Sequence, residues 1–203
     1  MKLNEIIDFR HDKIDMSSIK RGERMGSGFY STVYADNDDP HMVIKDMERH
    51  GGDKPRDGFS SYIEAIIENG MNGVNPYVPR VYKLNSSKTK DNEYKHTYQI
   101  EKLNDLEHLD KKDFEFIFSK LLSEDKIKEY TDHSVRLAWA LASYIDDLVH
   151  GYEPLSKSKK LNEVIELIRQ LYQRGLSYDI KPENMMYRST PYGAQLVISD
   201  PLY

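Results

Sequence analysis

The 203-residue chain contains no cysteine, which excludes disulfides, thiolate nucleophiles and Cys-ligated zinc and fits a reducing cytoplasm. Its seven histidines never fall in an H-E-x-x-H pattern, so a helical zinc site of that type is excluded as well. No apolar run approaches the roughly 20 residues that span a bilayer, and the amino terminus, "MKLNEIIDFRHDK", is interrupted by Glu5 and Asp8 before a signal-peptide core can form. Basic charge is not in excess. With 29 Lys and Arg against 34 Asp and Glu the net charge is −5, which points away from nucleic acid or an anionic membrane as the main partner. The local run Lys157, Lys159 and Lys160 reads as a solvated helix start. Internal repeats and low-complexity linkers are missing too. A soluble, cytoplasmic protein is expected.

What is present is enough apolar material, 38% of residues, for one ordinary domain or two small lobes. From Ile19 to about Ile100, short β-favouring runs ("STVY", "HMVIK", "VPRVYKL", "KHTYQI") are separated by Gly, Asn, Asp and Pro. One helix interrupts them: "DGFSSYIEAIIENGMNG" offers Asp57 or Ser60 as a cap, apolar Tyr62, Ile63, Ile66 and Ile67, and Gly70 as a stop. After Leu103 the pattern turns helical in "KDFEFIFSKLL", "SVRLAWALASYIDDLV" and "KKLNEVIELIRQLYQRG", the last with Leu161, Val164, Ile165, Ile168, Leu171 and Tyr172 on one stripe. The reading is an α+β protein with a mainly β lobe, an inserted helix and a mainly α lobe.

Near the end, "SYDIKPENMMYR" gathers Asp179, Lys181 and Asn184 before a hairpin of "NMMYR", the turn "STPYGA" and "QLVIS", after which Asp200 follows. In an antiparallel pair the residue before the first strand lies beside the residue after the second, so Asn184 and Asp200 become neighbours. Two oxygen-bearing side chains at a strand end suit Mg²⁺, which needs few protein ligands when phosphates supply others. A polar hairpin mouth facing water is the plain alternative.

Upstream, "ERMGSGFYSTVYADNDDPHMVIKD" places Gly26 and Gly28 at a strand-to-strand turn, Val33 in the returning strand and Lys45 at the end of a third strand. Glycines allow backbone N–H groups to close over phosphates; taken alone, a simple hairpin turn is the plainer account of them, and the company of Lys45 is what favours phosphate. Lys45 can neutralise nucleotide phosphates and needs a carboxylate to fix it. Glu64 is the natural partner, with Glu68 one turn later competing.

Taken in order, Gly26-x-Gly28 with Val33, "VIK" ending at Lys45, Glu64, and "YDIKPEN" resemble the Gly-rich loop, V-A-I-K, helix C glutamate and R-D-x-K-x-x-N of the eukaryotic-type Ser/Thr protein kinases. Asp200, in "ISDP", stands where that family has D-F-G. The resemblance covers about residues 20–103 and 160–203. It implies a bilobal kinase-like fold: an N-terminal extension over 1–18, an antiparallel β lobe with helix C and hinge over 19–103, and a shortened α lobe over 104–203 with a helical insertion at 104–155. It further implies that Asp179 accepts or orients the substrate hydroxyl proton and Lys181 steadies the γ-phosphate. Asn184 and Asp200 would hold metal ions, and "EKL", Glu101 to Leu103, would read adenine with Ile100 behind it. ATP and Mg²⁺ are the implied cofactors, and protein Ser and Thr hydroxyls, its own included, the implied acceptors. The "VIK" and "I-[ST]-D-P" features are similar to compact protein kinases encoded by tailed bacteriophages, which act on host proteins such as the transcription machinery.

The chain departs from the family pattern in several places. Ser31 replaces the third glycine and Val43 the usual alanine, Ser177-Tyr178 replaces His-Arg, and "DPL" replaces D-F-G; the residues given end at Tyr203, without an A-P-E motif. The missing arginine removes the usual receiver of an activation-loop phosphate. Two further readings keep the fold: a small-molecule phosphotransferase whose acceptor pocket is the 104–155 insertion, and a kinase-like binding module that inhibits a host protein without catalysis.

Overall fold

The computed structural model describes residues 19–28, 31–48, 57–88, 94–132 and 137–203; the expected extension over 1–18 lies outside them. The described chain forms two compact units, one comprising the residues up to 48 together with Arg80–Lys102, the other the residues from 57 to 79 together with Leu103–Tyr203.

The first unit is a five-stranded antiparallel sheet, β1 (Arg21–Ser27), β2 (Ser31–Asp36), β3 (Met42–Glu48), β4 (Val81–Lys88) and β5 (Tyr94–Glu101), in the order β1-β2-β3-β5-β4. Lys45 lies in the middle of β3 rather than at its end, because pairing continues through Glu48 with β5. Register decides the two faces, since cross-strand partners point the same way. Val33 pairs with Lys45 and Lys45 with Tyr98, while Ala35 pairs with Val43 and Val43 with Ile100. Around Lys45 this face is therefore apolar, formed by Val33, Ala35, Val43, Tyr98 and Ile100.

The opposite face buries Ile44 and, beside it, carries a polar cluster around Asp46. The Asp46 carboxylate accepts from Arg21 Nε at 2.7 Å and Nη2 at 2.9 Å and from the Thr97 hydroxyl at 2.6 Å. Lys95 Nζ approaches it at 3.8 Å. Burial alone raises the pKa of this carboxyl, but the hydrogen bonds from Arg21 and Thr97 and the Arg21 and Lys95 charges outweigh burial and hold it below its ordinary value.

The second unit contains helices α1 (Gly58–Glu68), α2 (Lys111–Leu121), α3 (Glu124–Asp132), α4 (Leu137–His150) and α5 (Lys159–Gln173). It also holds a small antiparallel sheet, β6 (Asn104–Asp105), β7 (Met185–Thr190) and β8 (Gly193–Ile198), in that order. The Asp57 carboxylate caps α1 by accepting from Ser60 N–H at 2.7 Å, which decides between the two candidate caps, and Gly70 turns the chain with φ +66°. Ser158 caps α5 in the same way, accepting from Leu161 N–H at 3.3 Å. Of the four apolar residues expected to bury α1, Tyr62, Ile63 and Ile66 are buried and Ile67 is half-buried.

Two elements go beyond the sequence reading. Helix α3 has none of its described side chains fully buried, so it carries little helical apolar pattern; it is held by Tyr130 donating to Asp147 at 2.7 Å and by Lys126 to Glu153 at 2.7 Å. Strand β6 is two residues long and exists only by pairing with β7. The hairpin is also tighter than "STPYGA" suggests: β7 runs through Thr190, β8 starts at Gly193, and only Pro191 and Tyr192 lie between.

The division of the chain differs from the expected 19–103 and 104–203. Helix α1 and the loop after it pack within the second unit, for identifiable reasons. Tyr62 Oη donates to the Ile198 carbonyl at 3.1 Å, Asn75 Nδ2 to the Lys160 carbonyl at 2.8 Å, and Arg188 to the carbonyls of Pro76 at 3.0 Å and Val78 at 3.2 Å. Sequence order does not foretell such long-range ties. Among the described residues, no helix is long and apolar enough to cross a membrane.

The Asp46 cluster yields a pH-dependent prediction. Its folded pKa lies below the unfolded one, so the pairing adds stability above about pH 4 and loses it as pH falls through the folded value. Asp46→Asn is expected to cost about 2 kcal/mol at pH 7, and the gap to the parent should close below about pH 4 in urea melts run across pH.

Candidate active site

In the second unit, α5 ends at Gln173 and the chain reverses through Gly175, whose φ of +98° suits a residue without a Cβ. It then runs extended and pairs with the segment after β8. Ser177 and Tyr203 exchange N–H to carbonyl bonds at 3.0 Å each, Tyr178 and Leu202 form an antiparallel bridge, and Asp179 N–H donates to the Pro201 carbonyl at 2.8 Å. A single 3-10 turn, Pro182–Asn184, leads into β7; Pro182 at its start loses no hydrogen bond because that position has no intrahelical acceptor.

This path brings Asp179, Lys181, Asn184 and Asp200 together. Asn184 Nδ2 donates to the Asp179 carbonyl at 2.8 Å and to Asp179 Oδ2 at 2.7 Å. Both partners are acceptors, so the amide must present its N–H₂ to them, and its Oδ1 is turned elsewhere. Lys181 Nζ also reaches Asp179 Oδ2, at 2.8 Å. Oδ2 thus has two donors, whereas Oδ1 accepts no hydrogen bond among the described residues. The Lys181 ammonium is held above its ordinary pKa, first by the hydrogen bond to Asp179 and then by the charges of Asp179, Glu183 and Asp200, with burial opposing.

As the hairpin register requires, Met185 opposes Ile198, and the Asn184 carbonyl accepts from Ser199 N–H at 3.0 Å, Asp200 N–H at 3.2 Å and Ser199 Oγ at 2.8 Å. Asn184 and Asp200 are therefore tied through the backbone, and both side chains are half-buried. No group of three or more His, Cys, Asp or Glu able to hold a metal occurs among the described residues. The oxygens here, Asn184 Oδ1 and the Asp200 carboxylate, suit a hard cation that takes its remaining ligands from phosphate.

The remaining predicted residues fall in both units. Gly26, Gly28, Val33, Lys45 and Glu101 lie in the first, and Glu64 and Leu103 in the second. Lys45 is buried at 9% exposure in the row Val33–Lys45–Tyr98. Gly26 opposes Val33, and Gly28 N–H donates to the Ser31 carbonyl at 2.8 Å. Neither glycine has positive φ, and a Cβ at Gly26 would meet nothing within 4 Å. Nothing among the described residues demands glycine there. Glu101 ends β5, its N–H donating to the Arg80 carbonyl at 3.0 Å and its carboxylate accepting from Arg80 N–H at 2.8 Å. On α1, Glu64 is half-buried and Glu68 exposed.

Sequence reading missed Gly58. A Cβ there would lie 2.2 Å from the carbonyl carbon and oxygen of Leu202, so the first turn of α1 rests directly on the strand that borders Asp179. A glycine after a capping aspartate gives no hint of so distant a contact. Compared with protein-family models and with curated proteins, the chain matches none.

Gly58→Ala must push backbone against backbone and is expected to destabilise the fold by about 1–3 kcal/mol. Thermal melts of this variant beside the parent check it; an unchanged midpoint would mean that α1 and the 201–203 strand are not packed as described.

Proposed function

We propose that the chain transfers the γ-phosphoryl group of ATP to serine or threonine hydroxyls of proteins. The observation that carries this reading is the inequality of the two Asp179 oxygens: one is fixed by Lys181 and Asn184, the other is open to accept a proton. A general base needs such an arrangement, a fixed direction with one lone pair available. Phosphoryl transfer asks for little else in covalent terms, so positioning and charge neutralisation dominate.

In this reading the acceptor hydroxyl oxygen bonds to the γ-phosphorus as the bond from that phosphorus to the β–γ bridging oxygen breaks. ADP leaves with the bridging oxygen, and the hydroxyl proton passes to Asp179 Oδ1. Lys181 offsets negative charge at the transferring group. Asn184 Oδ1 and Asp200 would hold Mg²⁺, which supplies neutralisation of the phosphate oxygens. In the first unit, the apolar face around Lys45 supports the nucleotide part of the reading, with Val33, Val43 and Ile100 against the base and the lysine at phosphate. The backbone at the end of β5, Glu101 and Lys102, is the adenine reader we assign within this unit. The likeness to phage-encoded kinases points to host-cell proteins as acceptors and the host cytoplasm as the place.

Asp179→Asn is the direct test. It keeps the bonds to Oδ2 in shape but removes the base, so transfer to protein from labelled ATP is expected to fall roughly 10²- to 10⁴-fold while ATP binding persists. A biological effect that survives the substitution undiminished would favour the non-catalytic binding module, and transfer to aminoglycosides or sugars in place of proteins would favour the small-molecule enzyme.

Gly26→Val tests the nucleotide side. The site has room within the chain and a strand backbone that accepts a β-branched residue, so melting should stay within the small range of surface substitutions, about 0.5 kcal/mol. Binding of a non-hydrolysable ATP analogue, measured by calorimetry, should weaken by about tenfold or more, equivalent to about 1.4 kcal/mol.

A further inference from the structure

The residue before Asp179 is a tyrosine, and its surroundings assign it a task. Tyr178 is stacked on Tyr172 of α5, with ring centroids 4.2 Å apart and planes 16° apart, and meets His150 of α4 edge-on at 4.9 Å and 77°. His150 in turn stacks on Tyr152 at 5.6 Å and 9°. The slot is held from both sides. Arg169 of α5 donates through Nε to the Val149 carbonyl at 2.9 Å and through Nη2 to the Leu148 carbonyl, which fastens the end of α4 to α5. His150 Nδ1 lies 3.0 Å from the Asp146 carbonyl and 3.3 Å from Asp146 Oδ1. These bonds hold the end of α4, and the His150 ring on it, against α5.

Successive side chains of extended backbone point to opposite sides. With Tyr178 bridged to Leu202 and Asp179 N–H bonded to Pro201, a ring seated on one side directs the carboxylate to the other, toward Asn184 and Lys181. We propose that Tyr178 is a positioning residue for the phosphoryl transfer inferred above, its ring clasped between Tyr172 and His150 to fix the direction of Asp179. The loop is then ordered as the chain folds, with no phosphorylated side chain required. This rests on Asp179 being the base; the clasp itself does not.

The test compares Tyr178→Phe and Tyr178→Ala in the full chain by two independent measurements. In amide hydrogen exchange, Tyr178→Ala should lose protection at Ser177 and Asp179 while the amides of α5 keep theirs, and Tyr178→Phe should match the parent. In transfer from labelled ATP, Tyr178→Ala should lose about a hundredfold in kcat, the scale of a 1 Å misplacement, with KM for ATP nearly unchanged and Tyr178→Phe restoring the rate. The parent treated with a phosphatase should retain its activity. If Tyr178→Ala does not fold, Tyr172→Ala, at a half-exposed position, should shift exchange and kcat in the same direction. Parent-like exchange at Asp179 in the alanine variants, or a rate abolished by phosphatase, overturns the proposal. A parent chain that transfers no phosphate overturns the kinase reading instead, and the exchange comparison still decides whether the clasp exists.

Discussion

Asn184 is the knot of the second unit. Its carboxamide donates twice to Asp179, and its backbone carbonyl receives Ser199 and Asp200, so one residue joins the loop before β7 to the strand after β8. Remove its side chain and both bonds to Asp179 vanish together, one of them to a charged oxygen and so worth more than a neutral bond. The placement of Asp179, Lys181 and Asp200 all depends on this knot. So does the strand pairing of 177–179 with 201–203, which begins where the hairpin ends.

Around the knot, packing supplies rigidity that hydrogen bonds alone would not. Tyr62, fully buried on α1, reaches the carbonyl of Ile198 at the end of β8, and Gly58 lets the same helix lie on Leu202. Helices α4 and α5 are fastened by Arg169, and the rings at their ends take up Tyr178. The polar groups thus sit on elements whose positions are set by buried side chains, the arrangement a preorganised site needs.

Much of this is legible in the sequence, and the pattern of success has physical causes. Local chemistry announces itself: Asp57 before an apolar repeat marks the start of α1, the apolar stripe from Leu161 marks α5, and two β-favouring runs around the turn "STPYGA" imply that Asn184 and Asp200 are neighbours. Residues far apart in sequence give no such signal. The membership of α1 in the second unit depends on contacts with β8 and α5, and Gly58 matters because of a carbonyl more than a hundred residues away. The apolar repeat of α3 is too sparse to be read as a helix, and the two residues of β6 have no periodicity at all. Tyr178 is visible in the sequence only as the absence of an arginine; its neighbours, from two helix ends, are found only in space.

Helix α3 is fastened by a few side chains, Tyr130 and Lys126 foremost, and this sets how it can come loose. Its polar ties, Tyr130 to Asp147 and Lys126 to Glu153, run to α4 and the turn beyond it, and the Tyr130 ring also lies edge-on to the buried Tyr144 ring at 5.5 Å and 6.5 Å from that of Phe118. A segment attached through so few side chains can detach while α4 and α5 stay folded, the main cost being the Tyr130 ring leaving Tyr144 and Phe118. High salt weakens one of the two ties and leaves the other, which makes α3 the natural place for proteases to enter and for insertions to be tolerated.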